Sequence, residues 1–147
     1  MPRAKTTRRE RPTRLAGGCL CKTIRYRVAG DPLDAGYCHC SLCRRSAGAP
    51  VMAWGTFPVA AFAFTRGKPG VFHSSRRALR EFCKHCGTQL TFRKVGGAAL
   101  VDVNLVTLDD PERIKPQYHI WTGNRLRWFD TRDKLPRHRA AGPDVLA

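Results

Sequence analysis

Seven cysteines in three tight groups constrain this chain more than any other feature. They are Cys19-x-Cys21, Cys38-x-Cys40-x2-Cys43 and Cys83-x2-Cys86. An odd number cannot be fully paired as disulfides, and no apolar signal core follows the basic N-terminus. A reducing compartment is therefore expected, with a cytoplasmic location. Clustered thiols in such a compartment point to bound metal, and tetrahedral thiolate sets point to zinc.

The spacing divides the cysteines into two sites. In "CKHCGT" Cys83 and Cys86 form a knuckle, with Gly87 free to take the tight turn beneath a metal. A knuckle supplies two thiolates and needs a second pair. Cys19 and Cys21, two apart on an expected strand, present both sulfurs to one face. Together the pairs predict a closed four-thiolate zinc site that staples the N-terminal strand to a distant hairpin. Cys38, Cys40 and Cys43 remain, the first two from one strand face and the third from the first turn of a short helix.

For that second site the fourth ligand is the open question. His39 is expected on the opposite strand face, and His85 lies inside the knuckle. His73 and His119 have no recognisable ligand spacing. The fourth position therefore reads as open, as in zinc sites that do chemistry. Zinc with three thiolates carries a net charge of −1 and favours an incoming sulfur, with Arg44 and Arg45 next in sequence to offset the charge.

The chain has 147 residues, the size of one domain. No apolar run approaches the ~18 residues needed to span a bilayer. Period-2 alternation marks strands at "TIRYRV", "TQLTFRK" and "ALVDVNLV", and "VMAWGTF" and "FAFTRG" read likewise. Turn signals recur at short intervals, so a mainly antiparallel β domain is predicted, with very short helices at "SLCRRSAG" (Ser41 as N-cap) and "LDDPERI". Trp121 and Trp128 are placed on the final strands, as core or groove wall. Boundaries are predicted at 1–14 for a basic flexible tail, 15–137 for the zinc-binding domain and 138–147 for a flexible C-terminal tail.

At this point the residues resemble a known family. "GGCLC", "YCHCSLCRRSAGAP", "REFCKHCGTQLTF", "LDDP" and "HIW", in this order from Gly17 to Pro136, are similar to the glutathione-dependent formaldehyde-activating enzymes, a family that also takes in centromere protein V. The resemblance implies a mainly β, Mss4-like fold with two zinc ions. It implies a structural zinc on Cys19, Cys21, Cys83 and Cys86, and a catalytic one on Cys38, Cys40 and Cys43. It further implies a carbon–sulfur lyase activity that joins glutathione to formaldehyde, giving S-hydroxymethylglutathione, with the thiol as small-molecule partner. Arg44 and Arg45 are candidates for glutathione's carboxylates, with Arg76 and Arg77 behind them. Many members have Gly where this chain has Lys22.

Charge supports a competing reading. Twenty-seven Lys and Arg face eleven Asp and Glu, a net charge of +16, and Arg3, Lys5, Arg8, Arg9, Arg11 and Arg14 crowd the N-terminus. A non-enzymatic module that binds nucleic acid or another polyanion would use that surface. No recognition helix or RNA-binding aromatic motif accompanies it, so the enzyme is favoured. A third reading closes the second site with His73 or His119 and leaves a purely structural double-zinc domain.

Overall fold

In the computed structural model the described residues are 13–97 and 99–146. The basic stretch from Arg3 to Arg11 lies outside them, and Arg14 opens the first strand. The order is β1 (Arg14–Gly18), β2 (Arg25–Ala29), β3 (Asp34–Cys38), α1 (Ser41–Ala47), β4 (Met52–Pro58), β5 (Phe62–Arg66), β6 (Gly70–Ser75), β7 (Ala78–Phe82), β8 (Gln89–Lys94), β9 (Leu100–Asn104) and β10 (His119–Ile120). β1, β2 and β5 form a three-stranded antiparallel sheet. The other strands form a seven-stranded sheet in the order β10-β3-β4-β9-β8-β7-β6, antiparallel except where β10 runs parallel to β3. The fold is mainly β, consistent with the Mss4-like zinc fold.

Alternation explains the layering. On β2, Ile24 (just before it), Tyr26 and Val28 are buried while Arg27 is exposed. They pack with Phe57, Val101, Val103 and Leu105 from the larger sheet, so the small sheet covers one face of the large one. Burying each such side chain contributes about 1.5–3 kcal/mol. Gly17 must be glycine here, since a Cβ would stand 2.3 Å from the Tyr26 hydroxyl.

The opposite face of the large sheet carries a second apolar cluster of Cys38, Met52, Trp54, Tyr118 and Ile120, with Ala47 of α1 packed against it. Asp102 and Asn104, which alternate with Val101 and Val103 on β9, are buried on this second face. Asn104 Nδ2 donates to the Gln89 carbonyl (3.3 Å) near Ser46 and Ala47 of α1, whereas Asp102 lies beside Asp144 and Leu146 of the C-terminal segment. Residues 138–146, predicted as a free tail, fold back over the domain. His138 N donates to the His119 carbonyl (2.9 Å), Val145 N donates to the Asp34 carboxylate (3.2 Å), and Leu146 is buried.

Three local expectations are corrected. Cys40, not Ser41, caps α1, its sulfur accepting from Cys43 N at 3.3 Å. Around Pro111 the chain makes a turn closed by Arg113 N to the Asp110 carbonyl (3.2 Å), without a helix. Asp109 is tied there to the small sheet, its N–H on the Ala16 carbonyl and its carboxylate on Arg25, and a single turn cannot offset the cost of helix nucleation. The third concerns the tryptophans: Trp121 follows β10 with φ of 54° rather than lying on a strand, although it does form a groove wall, and Trp128 is exposed.

Candidate metal centres and the adjoining cavity

The sequence places Cys19 and Cys21 on a strand; the structure puts them in the turn between β1 and β2. That turn is closed by Lys22 N on the Cys19 carbonyl (3.0 Å), with Lys22 at φ 62°. This left-handed conformation favours glycine, so Lys22 adopts it at a steric cost. Cys83 and Cys86 sit in the turn from β7 to β8, where Gly87, at φ 76°, donates its N–H to the Cys83 carbonyl at 2.8 Å.

The two turns meet. Their four sulfurs lie within 4.8 Å of one another, with Cys19–Cys21 at 3.6 Å and Cys21–Cys83 at 3.7 Å. A tetrahedral zinc with Zn–S bonds of about 2.3 Å requires sulfur–sulfur edges of about 3.8 Å, so this set fits the ion. Ile24 N donates to Cys19 Sγ at 3.2 Å, as expected around a thiolate cluster. The Thr88 hydroxyl and backbone hold the Cys86 thiol down to about 5.

Cys38 ends β3, Cys40 caps α1 and Cys43 lies in its first turn, and these sulfurs also fall within 4.8 Å of one another. Contacts with Cys38 and Cys43 hold the Cys40 thiol down to about 2, and contacts with Cys40 and Cys43 push Cys38 far above its usual range. Three sulfurs this close cannot all ionise without a cation among them. The donor set therefore fits a soft divalent metal.

Among the described residues no histidine joins this cluster. His119, a candidate fourth ligand, is fully committed: Nδ1 lies 2.8 Å from His39 Nε2, and Nε2 lies 3.0 Å from both Asp133 oxygens. His73 is exposed on β6, and His85 is exposed in the knuckle.

Beside the three sulfurs lies a cavity of about 490 Å³ on the second face of the large sheet. Met52, Trp54, Phe92, Ile120 and Trp121 give it mostly apolar walls, and Ala141, Asp144 and Leu146 of the C-terminal segment close one side. Its charged lining residues are Arg80, Lys94, Asp102 and Asp144. Arg44 and Arg45 do not line it. Arg44 Nε donates to the His39 carbonyl at 3.2 Å, and Arg45 is exposed. Successive helix residues turn by about 100°, so a helix that aims Cys43 at the cluster turns its two neighbours away. Arg76 and Arg77 are exposed at the β6–β7 turn.

Two cavity residues escaped sequence reading. Arg80 on β7 is 6% exposed, and its Nη2 donates toward Cys43 Sγ at 3.8 Å. Asp102, also 6% exposed, accepts from the Thr56 hydroxyl at 2.5 Å, and burial pushes its carboxyl up to about 7. The one signal for Arg80 was its alternation with Phe82 ahead of the knuckle. Without the strand register, that signal says nothing of what Arg80 faces.

Comparison with known proteins agrees with this geometry. The family model for the glutathione-dependent formaldehyde-activating enzyme matches residues 14–124, a span that holds all seven cysteines. A Schizosaccharomyces pombe protein described as an uncharacterized lyase is 36% identical over 89 residues, 55% of this chain. The match spans only 58% of that protein's length. A crystal structure of a Rhodobacter sphaeroides protein superposes with a TM-score of 0.54 at 21% identity, covering 83% of this chain and 98% of the other, and so shares the fold. With the family model matched across both cysteine clusters, the chain belongs to the glutathione-dependent formaldehyde-activating enzyme family.

Proposed function

We propose that the chain is a zinc-dependent carbon–sulfur lyase-type enzyme that forms or cleaves the hydroxymethyl adduct of a small thiol, glutathione or a relative. The observation that carries this reading is the three-sulfur cluster, with no fourth ligand side chain among the described residues, and a cavity of about 490 Å³ beside it. Cys19, Cys21, Cys83 and Cys86 would hold a structural zinc, and Cys38, Cys40 and Cys43 a catalytic one. The latter ion would supply a soft coordination position that prefers sulfur. Family membership and the lyase description of the yeast relative support the reaction class.

The chain's own residues do the rest. The turn from β3 into α1 fixes the three sulfurs, with Cys40 held by its capping bond from Cys43 N. Met52, Trp54 and Ile120 exclude water from the wall next to the cluster. Addition of a thiol to formaldehyde proceeds unaided, so the contribution asked of the cavity is chiefly to hold the two reactants at attack distance.

Exchange NMR on an equilibrium mixture of glutathione, formaldehyde and their adduct tests the reading, because it reads interconversion rates without displacing the equilibrium. The zinc-loaded chain should accelerate exchange, and Cys43→Ser should remove the acceleration. Equal rates with and without the wild-type chain would refute the activity.

A further inference from the structure

The cavity beside the three sulfurs has a second, charged end. Cys38 lies opposite Met52 across β3 and β4, whereas Thr56, further along β4, lies opposite Asp102 of β9. The strand from Met52 to Thr56 covers about 13 Å, so the sulfurs and Asp102 line different ends of one cavity, with Trp54 between them. Lys94 and Asp144 line it as well. They sit with Asp102, since Asp144 is near enough to push the Asp102 carboxyl up and Lys94 near enough to pull that of Asp144 down.

These charges do not neutralise one another. Among the described residues no ion pair involves Asp102, Asp144 or Lys94. Asp102 anchors one oxygen on the Thr56 hydroxyl at 2.5 Å, and Asp144 accepts from Leu146 N at 2.8 Å. The second oxygen of Asp102 has no donor among the described residues. Nor is it sealed in: the sealed, unpartnered side-chain atoms are His39 Nδ1, Arg80 Nη1 and Asn104 Oδ1. The little surface that Asp102 keeps, 6% of the residue, is on the cavity. The other charged groups at hand are engaged elsewhere, Asp34 with the Tyr118 hydroxyl and Val145 N, Arg80 with Cys43. A buried carboxylate with an idle oxygen carries a desolvation cost that a bound cation offsets.

We propose that this end of the cavity is a subsite for the amino-acid head of the thiol, Asp102 and Asp144 receiving its ammonium and Lys94 its carboxylate. This rests on the thiol reading above and narrows it to a class of thiol. With its sulfur at the cluster, a ligand needs roughly 10 Å of reach to bring a cation to Asp102, the length of about three extended residues. Free cysteine falls short, whereas a γ-glutamylcysteine unit, lengthened by its side-chain linkage, spans the distance. An ordinary peptide N-terminus offers an ammonium alone. A γ-linked glutamyl head keeps its α-carboxylate free beside the ammonium, which matches a wall bearing both signs of charge. The apolar stretch around Trp54 then faces the uncharged middle of the ligand.

Calorimetry on the zinc-loaded chain tests this with glutathione, N-acetylglutathione and free cysteine, of which glutathione alone has both the head and the reach. Wild type should bind glutathione at least about tenfold more tightly than either of the others. Asp102→Asn should bring glutathione down to the level of N-acetylglutathione, and Lys94→Met should weaken these two ligands alike. Equal affinity of wild type for glutathione and its N-acetyl form overturns the proposal without recourse to a variant. So does a wild type that binds none of the three, or an undiminished preference in Asp102→Asn. Exchange NMR separates this outcome from the activity. If wild type gives no rate enhancement while the preference still depends on Asp102, the reaction fails and the headgroup subsite stands. If glutathione and N-acetylglutathione exchange formaldehyde at the same enhanced rate, the subsite fails and the reaction stands.

Discussion

The two cysteine clusters use one ligand type for opposite ends. The four-sulfur cluster is assembled by two turns from different sheets, and its tetrahedron is complete. The three-sulfur cluster comes from a single strand-to-helix turn and has a cavity on its remaining side. On the proposed reading, what would separate a fastener from a reaction centre is the number of sulfurs and what occupies the remaining side. Contact with solvent does not separate them: Cys38 is buried and Cys21 is exposed.

The harshest way to break this comparison is Cys83→Ser. Structural zinc in small peptides contributes on the order of 10 kcal/mol of apparent binding energy, comparable to the whole stability of a domain. Loss of cooperative thermal unfolding by circular dichroism is expected. A wild-type melting curve would show that the four-sulfur site does not hold the fold.

Cys43→Ser is the matching change at the other cluster. It should remove one of two bound metal ions, measured by elemental analysis, and lower the midpoint of thermal unfolding while leaving the transition cooperative, because its three sulfurs come from one turn and tie no distant segments together. Global unfolding of this variant would erase the distinction between the sites.

Two gentler changes sharpen it. The carboxyl of Asp102 is pushed up to about 7 by burial, with Asp144 and Asp34 adding to the push and Arg80 opposing it. The folded state therefore binds the proton more tightly than the unfolded chain does. The associated stability is complete below about pH 4 and is lost as pH rises towards 7, by up to about 1.4 kcal/mol per pH unit. Asp102→Asn should flatten that decline in urea titrations; an unchanged slope would mean that Asp102 titrates normally. The smallest effect is at Lys22, where φ is 62°. Lys22→Gly should raise stability by about 1 kcal/mol or less, the left-handed strain relieved being partly offset by glycine's extra unfolded-state entropy. A loss of stability would show that this turn is not strained.

The legible features were those encoded by local spacing. Alternation located the core faces of β2 and, through Val101 and Val103, of β9, and the cysteine intervals divided the ligands into the two groups that the fold brings together. Features that depend on register or distant covering were not legible. On β7 the apolar Leu79 and Phe82 fall on opposite faces, so alternation did not mark Arg80 as facing the cavity. The burial of Asp102 was not legible because its neighbours Asp144 and Leu146 come from more than forty positions away, and that of Asn104 because it depends on Gln89 of the neighbouring strand. The C-terminal segment, rich in Arg, Pro and Gly, has the composition of a tail, yet Leu146 and a few backbone hydrogen bonds fix it. The reading of Cys19 and Cys21 failed differently: an x-spaced pair projects sulfurs to one side equally from a strand or from a tight turn.

The central claim is that one cluster is closed and the other accepts a thiol. Its most direct test is titration of the cobalt-substituted protein with glutathione, followed by visible absorption. Two cobalt ions should bind per chain, and one of two band sets should shift on adding thiol, with no shift in Cys43→Ser. Two bound ions whose bands both ignore glutathione would contradict the account.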